Sequence, residues 1–239
     1  MSNLKPETRQ KLMGVSTATI STALFKRGFR TQMIQDVHPL NPGLPNMVGE
    51  AYTLRYIPAR EDLNPITVFN DPKHPQRKAI EDCPPGCVFV IDSRKDPRAA
   101  SAGGILVTRL MKRGVAGIVT DGGFRDSSEM AQLPFPTYHC RPAAPTNITL
   151  HQAVDVNVPI GCGDAPVWPG DVIVGDAEGV IVIPAHLADE IAAETHEMTA
   201  YEDFVTEKVR EGRSIVGLYP ATDERSKIEF EAWRKANHR

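Results

Sequence analysis

Between residues 84 and 120 the chain reads as a strand, a helix and a second strand, and that order restricts the fold more than any other feature. PPGCVFVID, at 84–92, is a turn feeding a short apolar run with an acidic end. From Ser101 to Arg113, Ile105, Leu106 and Leu110 share one side of a helix that Gly114 ends, and Val115 to Thr120 forms the next strand. Strands joined by a helix in this way belong to a crossover within an α/β sheet. The chain also has 18 glycines and 20 prolines among 239 residues, so many turns and short elements are expected and a plain helical bundle is not.

The flanking segments fit one large domain, or one domain with arms, as the chain length predicts. Residues 5–28 read as helical, with Ser16-Thr17 capping a helix over 17–27 that presents Ile20 and Leu24 and stops at Gly28. A Pro- and Asn-rich loop then leads to a strand from Gly49 to Ile57. Residues 58–81 are polar and Pro-rich and predict an excursion with a short helix near its end. Further strands are expected over 134–140, 154–160 and 171–183. PGCVFVIDS at 85–93 echoes PGDVIVGDA at 169–177, either a duplication or two similar turns feeding two strands. A helix over 186–211 repeats Ile191, Met198 and Val205 every seven residues and closes at Gly212. The charged last 18 residues predict a short helix or a tail that reaches a neighbour.

Composition removes several function classes. The net charge is -3, which argues against a nucleic-acid wrapper, and no nucleic-acid partner is expected. No apolar run approaches the ~18 residues of a membrane span, so no membrane partner is expected either. The N-terminus has no hydrophobic signal region, and the four cysteines (Cys83, Cys87, Cys140 and Cys162) form neither a CxxC site nor a dense disulfide framework. A reducing, cytoplasmic setting is the expectation. There is no HExxH motif, Walker loop or GxSxG elbow.

The chemistry-bearing residues cluster in GGILVTRLMKRGVAGIVTDGGFRDSSEM. Gly103 and Gly104 precede a helix, so the amides of Ile105, Leu106 and Val107 could approach a carboxylate or phosphate at a helix N-terminus. Read otherwise, the same glycines make a tight turn before a packed helix. Asp126 and Glu129, three apart, share a face on a helical turn and suit a hard cation such as Mg2+ or Mn2+. Arg125 offers a fork of donors to an oxyanion. A surface cap with an Arg–Asp pair is the alternative.

These segments resemble the RraA-like family, which joins the regulators of ribonuclease activity A to the class II aldolases acting on 4-hydroxy-4-methyl-2-oxoglutarate and 4-carboxy-4-hydroxy-2-oxoadipate. The aldolase signature is a glycine, twenty residues, Arg-Asp, two residues and an acid. Gly104, Arg125-Asp126 and Glu129 meet it. STATISTAL at 16–24, RGVAGIVTDGGFRD at 113–126 and WPGDVIVGDAEGVIVIP at 168–184 extend the likeness over most of residues 14–211.

The resemblance implies a single-domain α/β/β sandwich like the swivelling phosphohistidine domain, with N- and C-terminal helices. The domain would span 1–211, with an N-terminal helical arm and an insertion near 58–81, and 212–239 would be a charged extension. It implies a homotrimer or hexamer, and a metal-dependent aldolase that cleaves a 4-hydroxy-2-oxo acid to pyruvate, with oxaloacetate decarboxylation as a side activity. Asp126 would bind the metal, Arg125 would face the keto oxygen, and Glu129 would act on a metal-bound water. Gly104, Ile105, Leu106 and Val107 would hold the 2-oxo acid carboxylate. Phe124 stands where the family more often has a small residue, and would either reshape the pocket or pack behind the loop. A 2-keto-3-deoxy sugar acid presents the same head, and Arg55, Arg94 and Arg141 are the candidate partners for the far end. The other branch of the family implies a non-catalytic regulator of ribonuclease E.

Overall fold

The computed structural model describes residues 4–239. Seven α-helices punctuate the described chain: α1 Pro6–Leu12, α2 Thr17–Lys26, α3 Pro75–Asp82, α4 Gly104–Lys112, α5 Ser127–Met130, α6 Ala188–Arg210 and α7 Glu224–Asn237. Ser16 caps α2 by accepting the Thr19 N–H at 3.1 Å, as the Ser-Thr pair predicts.

The fold is mixed α/β, built on a curled sheet around the long strand Met47–Pro58. The first residues of that strand pair antiparallel with Val172–Gly175. Further along it pairs parallel with Val88–Asp92 on one side and antiparallel with His151–Val156. One strand thereby joins two partly separate sheets, and apolar clusters fill both of its faces. The expected crossover is present: Val88–Asp92 runs parallel to Gly117–Thr120, and α4 lies between them in the chain.

The two echoing segments flank the same long strand, one parallel and one antiparallel. What they share is the turn. In each, the residue after Pro-Gly donates its N–H to the carbonyl three residues back, Cys87 to Pro84 and Asp171 to Trp168. Gly86 and Gly170 sit at φ of +81° and +91°, the third position of a type II turn.

Two expectations are corrected, and for the C-terminal segment the helical alternative is the one found. The helix expected from Ser101 starts at Gly104, because Ala100–Ala102 is a strand paired with Gly123–Phe124 and the Ser101 side chain is buried among hydroxyls. The strand expected over 154–160 runs instead over His151–Val156, ending where Asn157 takes a φ of +56°. The C-terminal segment forms α7, which folds back on its own chain. Phe230 and Trp233 pack on Tyr201 and Phe204 of α6, and Leu218 is buried beside them.

A small sheet positions the site. Ala100–Ala102, Gly123–Phe124 and Arg141–Pro142 are parallel neighbours. Their C-terminal ends therefore point one way, the end at which α/β sheets usually hold ligands. The first leads into α4 and the second into Arg125-Asp126.

Candidate active site

The loop carrying Arg125 and Asp126 lies directly on the N-terminus of α4. The Arg125 N–H donates to the Ala102 carbonyl at 3.2 Å. The Gly104 N–H donates to Asp126 Oδ2 at 3.0 Å, so a carboxylate meets the positive end of the helix. Arg125 Nε stands 3.6 Å from the same oxygen. Asp126 takes a φ of +60°, a left-handed conformation that Asp tolerates better than most residues and that recurs at functional sites.

This geometry explains Gly103. A Cβ there would stand 2.8 Å from Arg125 Cγ and 2.8 Å from Asp126 Oδ2. Gly104 is less constrained, since its Cβ would meet Asp126 Cβ at 3.4 Å. The first glycine thus leaves room for the two side chains.

A cavity of about 270 Å³ opens beside them, at the small end of ligand pockets. Gly103, Ile105, Leu106, Arg125 and Asp126 form one wall. Ile66, Phe69, Gln76 and Arg77 of the excursion line the cavity as well, and Thr146 and Asn147 also contribute. The excursion at 58–81 is therefore part of the site. It contains a 3-10 turn, Ile66–Asn70, and leads into α3, which is tied to α4 by the paired bonds of Arg109 to Glu81 at 2.7–3.2 Å.

The remaining expected residues fall as follows. The Leu106 and Val107 N–H groups donate to the Gly103 carbonyl at 3.0 and 3.2 Å, so they are engaged in the first helical turn. Val107 is fully buried, whereas Ile105 is 84% exposed at the cavity edge. Glu129 does not line this cavity. It borders an adjoining depression that Arg125 and Asp126 also line, with Ser127, Ser128 and Pro142. Phe124 is buried and stacks on His139 at 5.7 Å, so it packs behind the loop.

None of the three arginines considered for the far end lines the cavity. Arg55 is paired with Asp155. Arg94 donates to the Leu150 carbonyl at 3.0 Å and to His151 Nδ1 at 3.2 Å. His151 is held neutral by burial and by the adjacent Arg94, and its Nε2–H donates to the Asp96 carbonyl. Arg141 starts its strand beside Gly123, at the end away from the site. Arg77 does line the cavity, and nothing in its local sequence pattern marks it. The only cue was Pro75, which opens α3 and sets Arg77 in its first turn.

Below the loop, Ser93, Ser101 and Thr120 share a buried hydroxyl cluster with oxygens 2.7–3.1 Å apart. Asp121 is buried, which pushes its carboxyl up, and the N–H groups of Ser93, Lys95 and Gly163 bond it at 2.7–3.1 Å and oppose that shift. The strand ends that carry the site therefore rest on a fully bonded polar support.

Among the described residues, no group of three or more His, Cys, Asp or Glu side chains forms a metal cage. Asp126 still suits a hard cation. Its Oδ2 is used by Gly104, and Oδ1 has no hydrogen-bond partner among the described residues. A site with one carboxylate, completed by water and ligand oxygens, matches the habits of Mg2+.

The Arg-Asp loop seated on a Gly-Gly helix start, beside a small cavity, is the candidate site of this α/β fold. The RraA-like family model, Aldolase/RraA, matches residues 17–182. The chain belongs to this family. A protein of Halalkalibacterium halodurans, provisionally named a 4-hydroxy-4-methyl-2-oxoglutarate aldolase, is 35% identical over 170 residues, covering 71% of this chain and 73% of that one. The 4-hydroxy-4-methyl-2-oxoglutarate aldolase of Thermus thermophilus is 28% identical over 155 residues, 65% of this chain and 92% of its own. Streptomyces coelicolor RraAS2, described as an unusual member of the RNase ES inhibitor RraA protein family, superposes with a TM-score of 0.74 at 26% identity, over 85% of this chain and 98% of its own. No helix among the described residues is long and apolar enough to cross a membrane.

Proposed function

We infer that the chain is a divalent-metal-dependent aldolase that releases pyruvate from a 4-hydroxy-2-oxo acid. The observation that carries this reading is that Arg125 and Asp126 share one cavity wall with the N-terminus of α4. Asp126, through Oδ1, would hold Mg2+ or Mn2+, which when bound supplies Lewis-acid polarisation of the keto oxygen. Arg125 places fixed donors where negative charge develops as the C3–C4 bond breaks. The bonding pair moves toward the keto oxygen to give the enolate, the C4 hydroxyl passes its proton to a water in the cavity as it becomes a carbonyl, and that water would return a proton to C3. Asp126 is the only carboxylate lining the cavity among the described residues. Glu129, on the adjoining depression that Arg125 and Asp126 also line, would orient a water beside Asp126 for proton transfer.

Oxaloacetate decarboxylation would follow from the same enolate, and a homotrimer or hexamer in the cytoplasm remains part of this reading. The likeness to the Streptomyces protein favours a second reading, a non-catalytic regulator that binds a ribonuclease. Pyruvate release from a panel of 4-hydroxy-2-oxo acids, including 2-keto-3-deoxy sugar acids, separates the two. The aldolase reading expects release with Mg2+, loss with EDTA and a fall of at least 10²-fold in Asp126→Ala. No metal-dependent product across the panel refutes it, and a ribonuclease E binding assay then tests the regulator.

A further inference from the structure

Two buried amides that line the cavity carry hydrogen-bonding atoms without a partner. Gln76 is 1% exposed and Asn147 is 5% exposed. Both belong to segments tied to the Ala100–Ala102 strand. Gln76 Nε2 donates to the Ser101 carbonyl at 2.8 Å, and the Ala100 N–H donates to the Pro145 carbonyl, two residues ahead of Asn147, at 2.8 Å. The next residue of that strand, Ala102, accepts the Arg125 N–H. The amides and the Arg125 loop thus share one short strand as their support.

Gln76 Nε2 also donates to Tyr56 Oη at 2.9 Å, and Tyr56 Oη donates to the same Ser101 carbonyl at 2.9 Å. A flipped amide would set Oε1 against that carbonyl, oxygen to oxygen. The orientation is therefore fixed, and Gln76 Oε1 is an acceptor with no partner among the described residues. Asn147 Oδ1 takes the Thr146 hydroxyl at 3.3 Å, and Asn147 Nδ2 is a donor with no partner among them. Buried polar groups left unmatched are uncommon and call for an explanation.

The pair defines the chemistry it matches. A carboxylate only accepts, so it would satisfy Asn147 Nδ2 and leave Gln76 Oε1 facing negative charge. An alkyl group satisfies neither. A hydroxyl both donates and accepts, and so suits both atoms.

We propose that Gln76 and Asn147 form a hydroxyl-reading subsite, which selects 2-oxo acids with a hydroxylated tail of the sugar-acid class. Gln76 Oε1 would accept from a tail hydroxyl, and Asn147 Nδ2 would donate to one. The proposal deepens the reading of the Arg125–Asp126 wall as the place of the 2-oxo acid head, and rests on it.

Calorimetry with Mg2+ present tests it with three ligands that share the head: 5-hydroxy-2-oxopentanoate, its isostere 2-oxohexanoate, in which a methyl replaces the hydroxyl, and 2-oxoglutarate. None has a C4 hydroxyl, so none undergoes retro-aldol cleavage. The full chain is expected to bind the hydroxylated ligand roughly 10-fold or more tightly than 2-oxohexanoate, since the alkyl tail leaves buried polar atoms unpaired. Gln76→Met and Asn147→Ala each bring that ratio toward one, whereas a merely structural role would weaken both ligands alike and preserve it. Should Gln76→Met fail to fold, Asn147→Ala and the parent ratio still decide. A parent ratio near one means that the amides hold only water and overturns the subsite, as does a ratio that survives Asn147→Ala. Tighter binding of 2-oxoglutarate than of the hydroxylated ligand also overturns it, in favour of a carboxylate drawn to Arg77, which lines the same cavity. If pyruvate release fails on the whole panel while the ratio and its loss in the variants hold, the aldolase reading falls and the subsite stands. If pyruvate is released but the ratio is near one, the subsite falls alone.

Discussion

Gly103→Ala tests the geometry of the site with a single methyl group. The backbone there is extended, at φ −136° and ψ 178°, so alanine brings no backbone strain. The effect must come from what the new Cβ meets, namely Arg125 Cγ and Asp126 Oδ2 at 2.8 Å and Arg125 Nε at 3.0 Å. The contact with Cγ is roughly 0.7 Å inside an optimal carbon–carbon separation of ~3.5 Å. Arg125 and Asp126 have side chains 46% and 41% exposed, so they can swing outward instead of straining the core. The stability loss is then below about 1 kcal/mol, less than a core overpacking of 1–3 kcal/mol. Activity is affected more, because displacing a reacting group by about 1 Å can cost ~10²-fold. The expected outcome is a fall of about 10- to 100-fold in kcat/KM for pyruvate release, with an almost unchanged urea midpoint. Gly104→Ala is the control. Its Cβ makes only ordinary contact, and the change favours the helix by roughly 0.5–1 kcal/mol. A Gly103→Ala protein as active as the parent would refute the argument, as would equal losses in both variants.

Two further outcomes follow from the structure. Burial holds the Asp92 carboxyl up at about 6; the Arg94 N–H bond opposes this, Asp121 adds to it, and Arg55 and Arg94 lower it. Between the ordinary carboxylate range and about 6 the folded chain keeps a proton that the unfolded chain has lost, so this group's contribution declines as pH rises through that window. Asp92→Asn keeps the acceptor and stays neutral, so its urea midpoint relative to the parent should rise between pH 4.5 and pH 7; a constant difference would contradict the assignment. Phe204 is fully buried between α6 and α7, and Phe204→Ala should cost about 3–5 kcal/mol in denaturant unfolding, whereas a loss under 1 kcal/mol would show that α7 is not packed there in solution.

The elements that could be read from sequence were those whose signals are local. Ser16 before an apolar stripe, Pro-Gly before an alternating run and the strand–helix–strand order all depend on neighbours a few residues away. What could not be read depended on distant partners. Ala100–Ala102 is extended because Gly123–Phe124 pairs with it and because Ser101 completes a hydroxyl cluster with Ser93 and Thr120. Asn157 ends its strand by adopting a positive φ, which its side chain permits without requiring. For the candidate site, the Gly-Gly and Arg-Asp pairs were visible, but their mutual contact was not, since 22 residues separate the Gly104 N–H from the carboxylate it meets. Arg77 had no visible role, because the cavity it lines exists only once the excursion has folded over α4.

The excursion also has a consequence for how such a chain changes over time. It leaves the sheet at Pro58 and returns at Val88, on the strand that already pairs with Met47–Pro58. The two strands run parallel, with Val88 level with Ala51, so the ends of the excursion are held at a fixed separation, that of a crossover, whatever lies between them. Doubling the length of such a closed segment costs only about 0.6 kcal/mol in chain entropy. Insertions and deletions ahead of α3 can reshape the part of the cavity lined by Ile66 and Phe69 without disturbing the apolar clusters or the hydroxyl support. Within α3 cavity and core are inherited together, because Gln76 and Arg77 line the cavity on the same helix whose Ala79 and Ile80 belong to the core.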